Sequence, residues 1–157
     1  MKITLILVGK TDKRYLAEAF EEYAKRLMRY VRFEVRVLPE LRNTKSMPVE
    51  VQLQKEGAAI LGALADAQEV LLLDEHGQQP SSVELAAELE RRMLHGQRDL
   101  AFVVGGPYGF APEVRQRANG QLSLSRLTFS HQMVRVIFVE QLYRAFTIIN
   151  GEPYHHQ

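Results

Sequence analysis

Residues 100–109 read Leu100-Ala101-Phe102-Val103-Val104-Gly105-Gly106-Pro107-Tyr108-Gly109, a short apolar run that leads straight into a glycine-rich turn. Uninterrupted apolar runs of this length are typical of strands buried on both faces, as in a parallel sheet. Ile3–Val8 and Val70–Leu73 are further runs of this kind, and Phe33–Leu38 alternates between apolar and polar residues. These four segments predict the strands of one sheet.

Helical patterns separate the predicted strands. Apolar residues recur at helical spacing within Tyr15–Tyr30, and a second helix is predicted over Met47–Ala65 with Ser46 as a possible N-cap. Ser81 and Glu84 have the spacing of a capping box at the start of a third helix. Strands that alternate with helices predict a parallel α/β fold, and 157 residues suit one domain over 1–157.

The last predicted helix, Gln132–Asn150, leaves almost no polar face. A helix that is apolar all round has to be buried all round, and a sheet in so small a protein covers only one side of it. We therefore expect a homodimer built on this helix. The alternative is a helix deep in the core of one subunit.

Composition places the chain among ordinary globular proteins, with 46% hydrophobic residues, 25% charged residues and a net charge of +1. The absence of cysteine excludes disulfides and Cys-ligated zinc and suits a reducing cytoplasm. No apolar stretch approaches the length of a membrane span. Residues 25–45 hold seven Lys or Arg and two Glu, a net charge of +5. Such a segment marks either a nucleic-acid contact or a set of solvated faces.

Three predicted strand ends point toward one region, where ligands bind in open α/β sheets. They are followed by Asp74–Gly77, Gly105–Gly109 and Ser123–Phe129. The glycine turn is neither a P-loop nor a dinucleotide fingerprint, and taken alone it is more typical of a tight turn than of a ligand site.

Other candidate groups have a plain structural reading beside the functional one. Asp74 and Glu75 are a possible acid/base pair, although adjacent side chains at a strand end rarely converge on one substrate. His155 and His156 are possible metal ligands, but no third ligand is evident. Glu140 and Arg144 form an i, i+4 pair that is either functional or a surface ion pair.

Three motifs near the end of the sequence resemble those of the ribosomal RNA large subunit methyltransferase H family, of the knotted SPOUT class. They are Thr128–Val136, Glu140–Phe146 and Gly151–His155, and earlier segments match the same family in the same order: Met1–Gly9, Lys55–Gly57, Leu71–Asp74 and Phe102–Gly106. Two positions depart from the family pattern. Ser130 stands where Pro commonly precedes the motif His131, and His156 stands where Arg or Lys is frequent.

The resemblance implies an α/β/α sandwich with a deep C-terminal trefoil knot. It also implies methylation of N3 of a pseudouridine, position 1915 in helix 69 of 23S rRNA, by homodimers that act on assembled ribosomes in the cytoplasm. S-adenosylmethionine would be the cofactor, without a metal or a membrane. Residues carried over for cofactor binding are Leu73, Gly105, Leu124, Ser125, Arg126, Leu127, Thr128 and Phe129. Residues carried over for orientation and proton handling are Arg144, Tyr154 and His155, with Arg135 and Glu140 in support.

Two other classes of function remain open from the residues alone. One is an α/β protein that binds a nucleotide or phosphate at Gly105–Gly109 and catalyses nothing. The other is a ribosome-associated structural factor that uses residues 25–45 and has lost catalysis; the intact Tyr154-His155 tail argues against it.

Overall fold

Alternation of strands and helices is the organising feature of the fold, as predicted. The computed structural model describes residues 1–156. Along the chain the elements are β1 (Lys2–Val8), α1 (Arg14–Leu27), β2 (Arg32–Leu38), α2 (Val49–Ala63), β3 (Glu69–Gln78), α3 (Ser82–Leu94), β4 (Asp99–Val104), α4 (Pro112–Arg117), β5 (Gly120–Leu122) and α5 (Met133–Ile149).

The five strands form one sheet in the order β2-β1-β4-β3-β5, and every strand pair in it is parallel. The predominantly apolar strands β1 and β4 lie side by side within the sheet, where both faces are covered. The alternating strand β2 lies at one edge. The strand patterns thus match the position of each strand in the sheet.

Helices cover both faces of the sheet. On one face α1, α3 and α5 pack against Ile3, Leu5 and Phe102, and on the other α2 and α4 pack against Ile6 and Val103. This confirms the predicted α/β/α sandwich. The trefoil knot stays a prediction.

Several boundaries differ from the sequence-based expectation. Helix α2 begins at Val49 after Pro48, and Ser46 does not cap it. Strand β3 extends five residues beyond the predicted Leu73, through an irregular pairing with β5. The extension depends on Gly77, because a Cβ there would lie 2.6 Å from the backbone carbon of Gln121. Capping of α3 by Ser81 is confirmed, with both reciprocal bonds present.

Helix α5 packs between α1 and α3 on the central strands, and the Phe138 ring lies 4.8 Å from that of Phe102. Its inner side chains are fully buried. Val136, Ile137 and Tyr143 are only partly buried, and Met133 is exposed. The helix is therefore not enclosed on all sides by its own chain, and the homodimer stays a prediction.

Arg135, in the first turn of α5, is 1% exposed and anchors the helix to the end of β1. Its guanidinium donates to the carbonyl oxygens of Val8 at 2.7 Å and Gly9 at 2.9 Å, and to Thr11 Oγ1 at 3.1 Å. With these donors used inside the fold, Arg135 has a structural role, and its suggested support of proton handling is replaced by this anchoring role.

We expect Arg135→Met to lower the free energy of unfolding by about 3 kcal/mol, because it leaves the buried carbonyls of Val8 and Gly9 without donors. Urea denaturation measures the change. The exposed Arg126→Met is the matched control and should change stability by less than about 0.5 kcal/mol. Equal losses in the two variants would contradict the anchoring role.

Candidate functional site

A cleft of about 630 Å³ lies at the carboxyl edge of the sheet. It is lined by the three segments that follow Leu73, Val104 and Leu122, together with His131 and Val134 at the start of α5. The predicted convergence of three strand ends is therefore confirmed. Its volume falls in the range of sites for small organic ligands.

The glycine turn forms one wall of this cleft. Gly106 and Gly109 make a backbone bridge, and Gly109 has a φ of +79°, which favours glycine. The Gly106 N–H donates to Glu56 Oε1 at 3.1 Å, and a Cβ at Gly106 would lie 2.8 Å from the other Glu56 oxygen. Burial raises the pKa of the Glu56 carboxyl. Glu56 on α2 thus holds the glycine turn in place. In the sequence, Glu56 stands out only as part of the family segment Lys55–Gly57.

The residues carried over for cofactor binding nearly all lie at the cleft. Those that line it are Leu73, Gly105, Leu124, Ser125, Leu127, Thr128 and Phe129. Arg126 is not among the lining residues, and its side chain is exposed. The segment is shaped internally, since Ser125 Oγ accepts from the Leu127 N–H at 2.9 Å. Their binding of a cofactor stays a prediction.

Asp74 lines the cleft and is held by two neighbours. Its Oδ1 accepts from the backbone N–H of His76 at 2.9 Å, and its Oδ2 accepts from Arg115 Nη2, also at 2.9 Å. Burial opposes ionisation, but these bonds hold the pKa of the Asp74 carboxyl below its ordinary value. A carboxylate kept ionised in this way is not a general acid, so the paired Asp74–Glu75 mechanism is not favoured.

A second polar group, the tail cluster, consists of Glu140, Arg144, Tyr154 and His155. Glu140 Oε1 accepts from Arg144 Nη2 at 2.5 Å and from the Tyr154 hydroxyl at 2.8 Å. The Arg144 guanidinium lies 4.8 Å from the centre of the Tyr154 ring. The structure therefore brings the three predicted catalytic residues together, around Glu140.

Protonation within the tail cluster follows from its contacts. Burial and the bond to Glu140 raise the pKa of the Tyr154 phenol, which stays protonated at neutral pH. Arg144 Nη1 lies 3.2 Å from His155 Nδ1, and because a guanidinium only donates, Nδ1 accepts. The proton of a neutral His155 is then on Nε2. Both His155 Nε2 and Arg144 Nε are buried without a hydrogen-bond partner in residues 1–156.

The tail cluster and the cleft do not meet within one chain. None of the four cluster residues lines the cleft. The cleft lies where α5 begins, whereas the tail is tied to the opposite edge of the sheet by a 2.7 Å bond from the Tyr30 hydroxyl to Glu152. Val134 and Arg144 are ten residues apart on α5, about 15 Å along its axis.

The basic segment 25–45 is divided by the fold. Its ion-paired members are Lys25, Arg26 and Arg36. Of the others, Arg29 and Arg32 lie just before and at the start of β2, and Arg42 and Lys45 follow its end. Strand β2 has seven residues and separates the two pairs by about 20 Å. A single contiguous basic patch is thus absent from this segment, and contact with RNA stays a prediction.

Within residues 1–156, no three His, Asp or Glu side chains are placed to hold a metal ion. In the same residues, the helices all fall short of the length and apolar character needed to cross a bilayer.

Comparison with known proteins gives full-length similarity. A family model described as "Predicted SPOUT methyltransferase" matches residues 1–155. The chain is 51% identical to the ribosomal RNA large subunit methyltransferase H of Porphyromonas gingivalis (strain ATCC 33277), with 100% of each chain covered. It is 47% identical to the protein of that name from Flavobacterium johnsoniae, again with 100% of each covered.

Solved structures share the fold at low identity. A probable methyltransferase from Bordetella pertussis Tohama I has a TM-score of 0.57 at 12% identity, over 92% of this chain and 95% of that one. A probable methylase family protein from Haemophilus influenzae Rd KW20 has a TM-score of 0.51 at 14% identity, over 99% of this chain and 70% of that one. These likenesses concern the fold alone.

Proposed function

Because the chain belongs to the SPOUT methyltransferase family, we propose that it methylates RNA of the large ribosomal subunit. The observation that carries this proposal is its full-length similarity, at 51% identity, to a relative named for that activity. The substrate implied by the sequence resemblance is N3 of a pseudouridine in helix 69 of 23S rRNA. Assembled ribosomes in the cytoplasm would present that nucleotide.

The proposed methyl donor is S-adenosylmethionine, and the cleft fits it in size and charge. Apolar side chains such as Leu73, Leu124 and Phe129 suit an adenine, and exposed backbone supplies polar groups. The cleft lining has a formal charge of −1, from the carboxylates of Asp74 and Glu75 and the guanidinium of Arg115. The donor carries a sulfonium, an ammonium and a carboxylate, a net charge of +1. When bound, it supplies a methyl group that is already activated.

The tail cluster is the proposed site for the pyrimidine. N3 of an imide is flanked by two carbonyl oxygens, onto which negative charge spreads when N3 loses its proton. Arg144 and His155 are partly buried side chains whose N–H groups suit such oxygens, and one nitrogen of each, Nε and Nε2, has no hydrogen-bond partner in residues 1–156. Glu140 and Tyr154 hold Arg144 in place through their contacts with it. Tyr154 stays protonated and orients the cluster without accepting the proton.

A homodimer would join the two halves of the site. An isologous contact along α5 with its two-fold axis perpendicular to the helix would reverse the helix direction in the partner, so the partner's tail would lie near the cleft of the first subunit. The partly buried Val136, Ile137 and Tyr143 would be covered in the same contact. Two observations support a site shared between subunits. The tail cluster has nitrogen donors without a partner in residues 1–156, and the tail cluster is separated from the cleft of its own chain.

Mass mapping of 23S rRNA from cells that lack this protein tests the proposal. We expect one helix 69 fragment to be lighter by a single methyl group, since the proposed methyl transfer is then missing. Expression of the wild-type chain should restore the mass. A fragment of unchanged mass would contradict helix 69 as the proposed substrate.

A further inference from the structure

Arg115 is the only lysine or arginine among the described residues that line the cleft. It projects from α4, and its guanidinium lies 5.7 Å from the centre of the Phe110 ring. A Cβ at Gly109 would be 3.6 Å from Arg115 Nη2, so the guanidinium lies against the glycine turn. Within residues 1–156, neither Glu56 nor any tail-cluster residue shares a hydrogen bond or an ion pair with it. Arg115 therefore belongs to the cleft itself.

Asp74 holds this guanidinium by one edge only. Within residues 1–156 the single side-chain hydrogen bond of Arg115 is the one from Nη2 to Asp74 Oδ2, at 2.9 Å. Its Nε and Nη1 donors are left for a ligand, and the side chain is 39% exposed. The Asp74 carboxylate is 9% exposed and has both oxygens in use, so it orients Arg115 and has little capacity for a ligand.

The signs of the surrounding charges select the kind of anion that Arg115 can bind. Asp74 and Glu75 line the same part of the cleft. Two carboxylates repel a phosphate of RNA, whereas a zwitterion places its ammonium near them and its carboxylate on the guanidinium. A planar guanidinium fork also matches a carboxylate in geometry.

We infer that Arg115, held by Asp74, binds the carboxylate of the amino-acid end of the methyl donor. The inference rests on the proposed function and adds a residue outside the three segments carried over from the family. It divides the cleft into two parts. The segments at Leu73 and 124–129 take the nucleoside, and the mouth at Arg115 takes the amino acid.

Calorimetry with S-adenosylmethionine and with decarboxylated S-adenosylmethionine, which lacks only the carboxylate, tests this assignment. Wild-type protein should bind the complete donor about 10- to 100-fold more tightly, the range of a charge-assisted bond. Arg115→Ala should abolish that preference by weakening binding of the complete donor alone, and Arg115→Lys should keep part of it.

Arg117→Ala is the matched control, because it removes an arginine from the same helix whose Nη2 donates to the Ala67 carbonyl away from the cleft. It should keep the preference. Thermal unfolding of each variant checks that the fold is intact. A merely structural role for Arg115 predicts equal weakening of both ligands, and that result would overturn the assignment.

Two further outcomes would also overturn it. One is a wild-type protein that binds both ligands equally well. The other is unchanged ligand binding by Arg115→Ala with a raised KM for ribosomes, which would assign Arg115 to an RNA phosphate. If the wild-type protein binds neither ligand, the proposed donor itself is wrong, and this result is distinct from a failure of Arg115 alone.

Discussion

Replacing Arg144 with alanine should slow methyl transfer about 100- to 1000-fold, the usual cost of removing a donor that stabilises developing negative charge. The guanidinium contacts Glu140, His155 and the Tyr154 ring, so its loss removes the centre of the tail cluster. Affinity for S-adenosylmethionine should stay within about twofold of wild type, because Arg144 does not line the cleft. Single-turnover transfer to ribosomes measures the rate, and calorimetry measures the affinity.

Arg26→Ala is the control for this prediction. Arg26 also lies on aromatic rings of this region, 5.2 Å from the centre of Tyr23 and 5.7 Å from that of Tyr143, but it does not bond to Glu140. It should leave the rate nearly unchanged. A rate near wild type for Arg144→Ala, or a parallel loss of donor affinity, would contradict the role of the tail cluster.

Mixing two inactive variants should restore activity if each site combines a cleft with the partner's tail. Gly105→Trp blocks the cleft, since even a Cβ at Gly105 would lie 2.9 Å from the Phe110 ring. Deletion of residues 154–157 removes the tail. Each mixed dimer then keeps one intact cleft facing one intact tail, so random equal mixing should recover about a quarter of wild-type activity.

The recovery has to come from mixed dimers. Two affinity tags, one on each variant, allow these dimers to be purified. Each purified mixed dimer should show about half of the activity of a wild-type dimer, because one of its two sites is intact. Each variant mixed only with itself is the control and should remain inactive. If purified mixed dimers show no methyl transfer, the site is formed within one subunit.

Much of the fold could be predicted from the sequence because its central features are local. The apolar runs of β1 and β4 and the capping box of Ser81 and Glu84 each specify an element without reference to distant residues. The family resemblance, which rests on several motifs in order, is confirmed by the full-length similarity.

Features that depend on distant residues could not be predicted. The extension of β3 requires the backbone of Gln121 to pass close to Gly77, and the position of Arg135 depends on carbonyls 126 and 127 residues away. Ser46 has the side chain of an N-cap, but Pro48 occupies the N-cap position directly before Val49, without a side-chain hydrogen bond.

The candidate site likewise combines features that the sequence predicts with features that depend on distant residues. The cleft residues 124–129 were carried over by motif and, apart from Arg126, line the cleft. Nothing in the sequence relates Arg115 to Asp74, which are 41 residues apart. In residues 25–45, basic residues that are close in sequence are divided by β2, a separation that their spacing in the sequence does not reveal.

The bond from Arg135 to the Val8 carbonyl joins residues 127 positions apart and so bears on how the chain folds during synthesis. Strand β1 leaves the ribosome early, but its neighbour β4 and its anchor on α5 follow much later. Closing such long loops is slow, because chain entropy is lost before the contacts form. The edge of β1 that faces β4 therefore stays unpaired until residues 99–104 have been made, and the cleft is completed only when the last helix has been made.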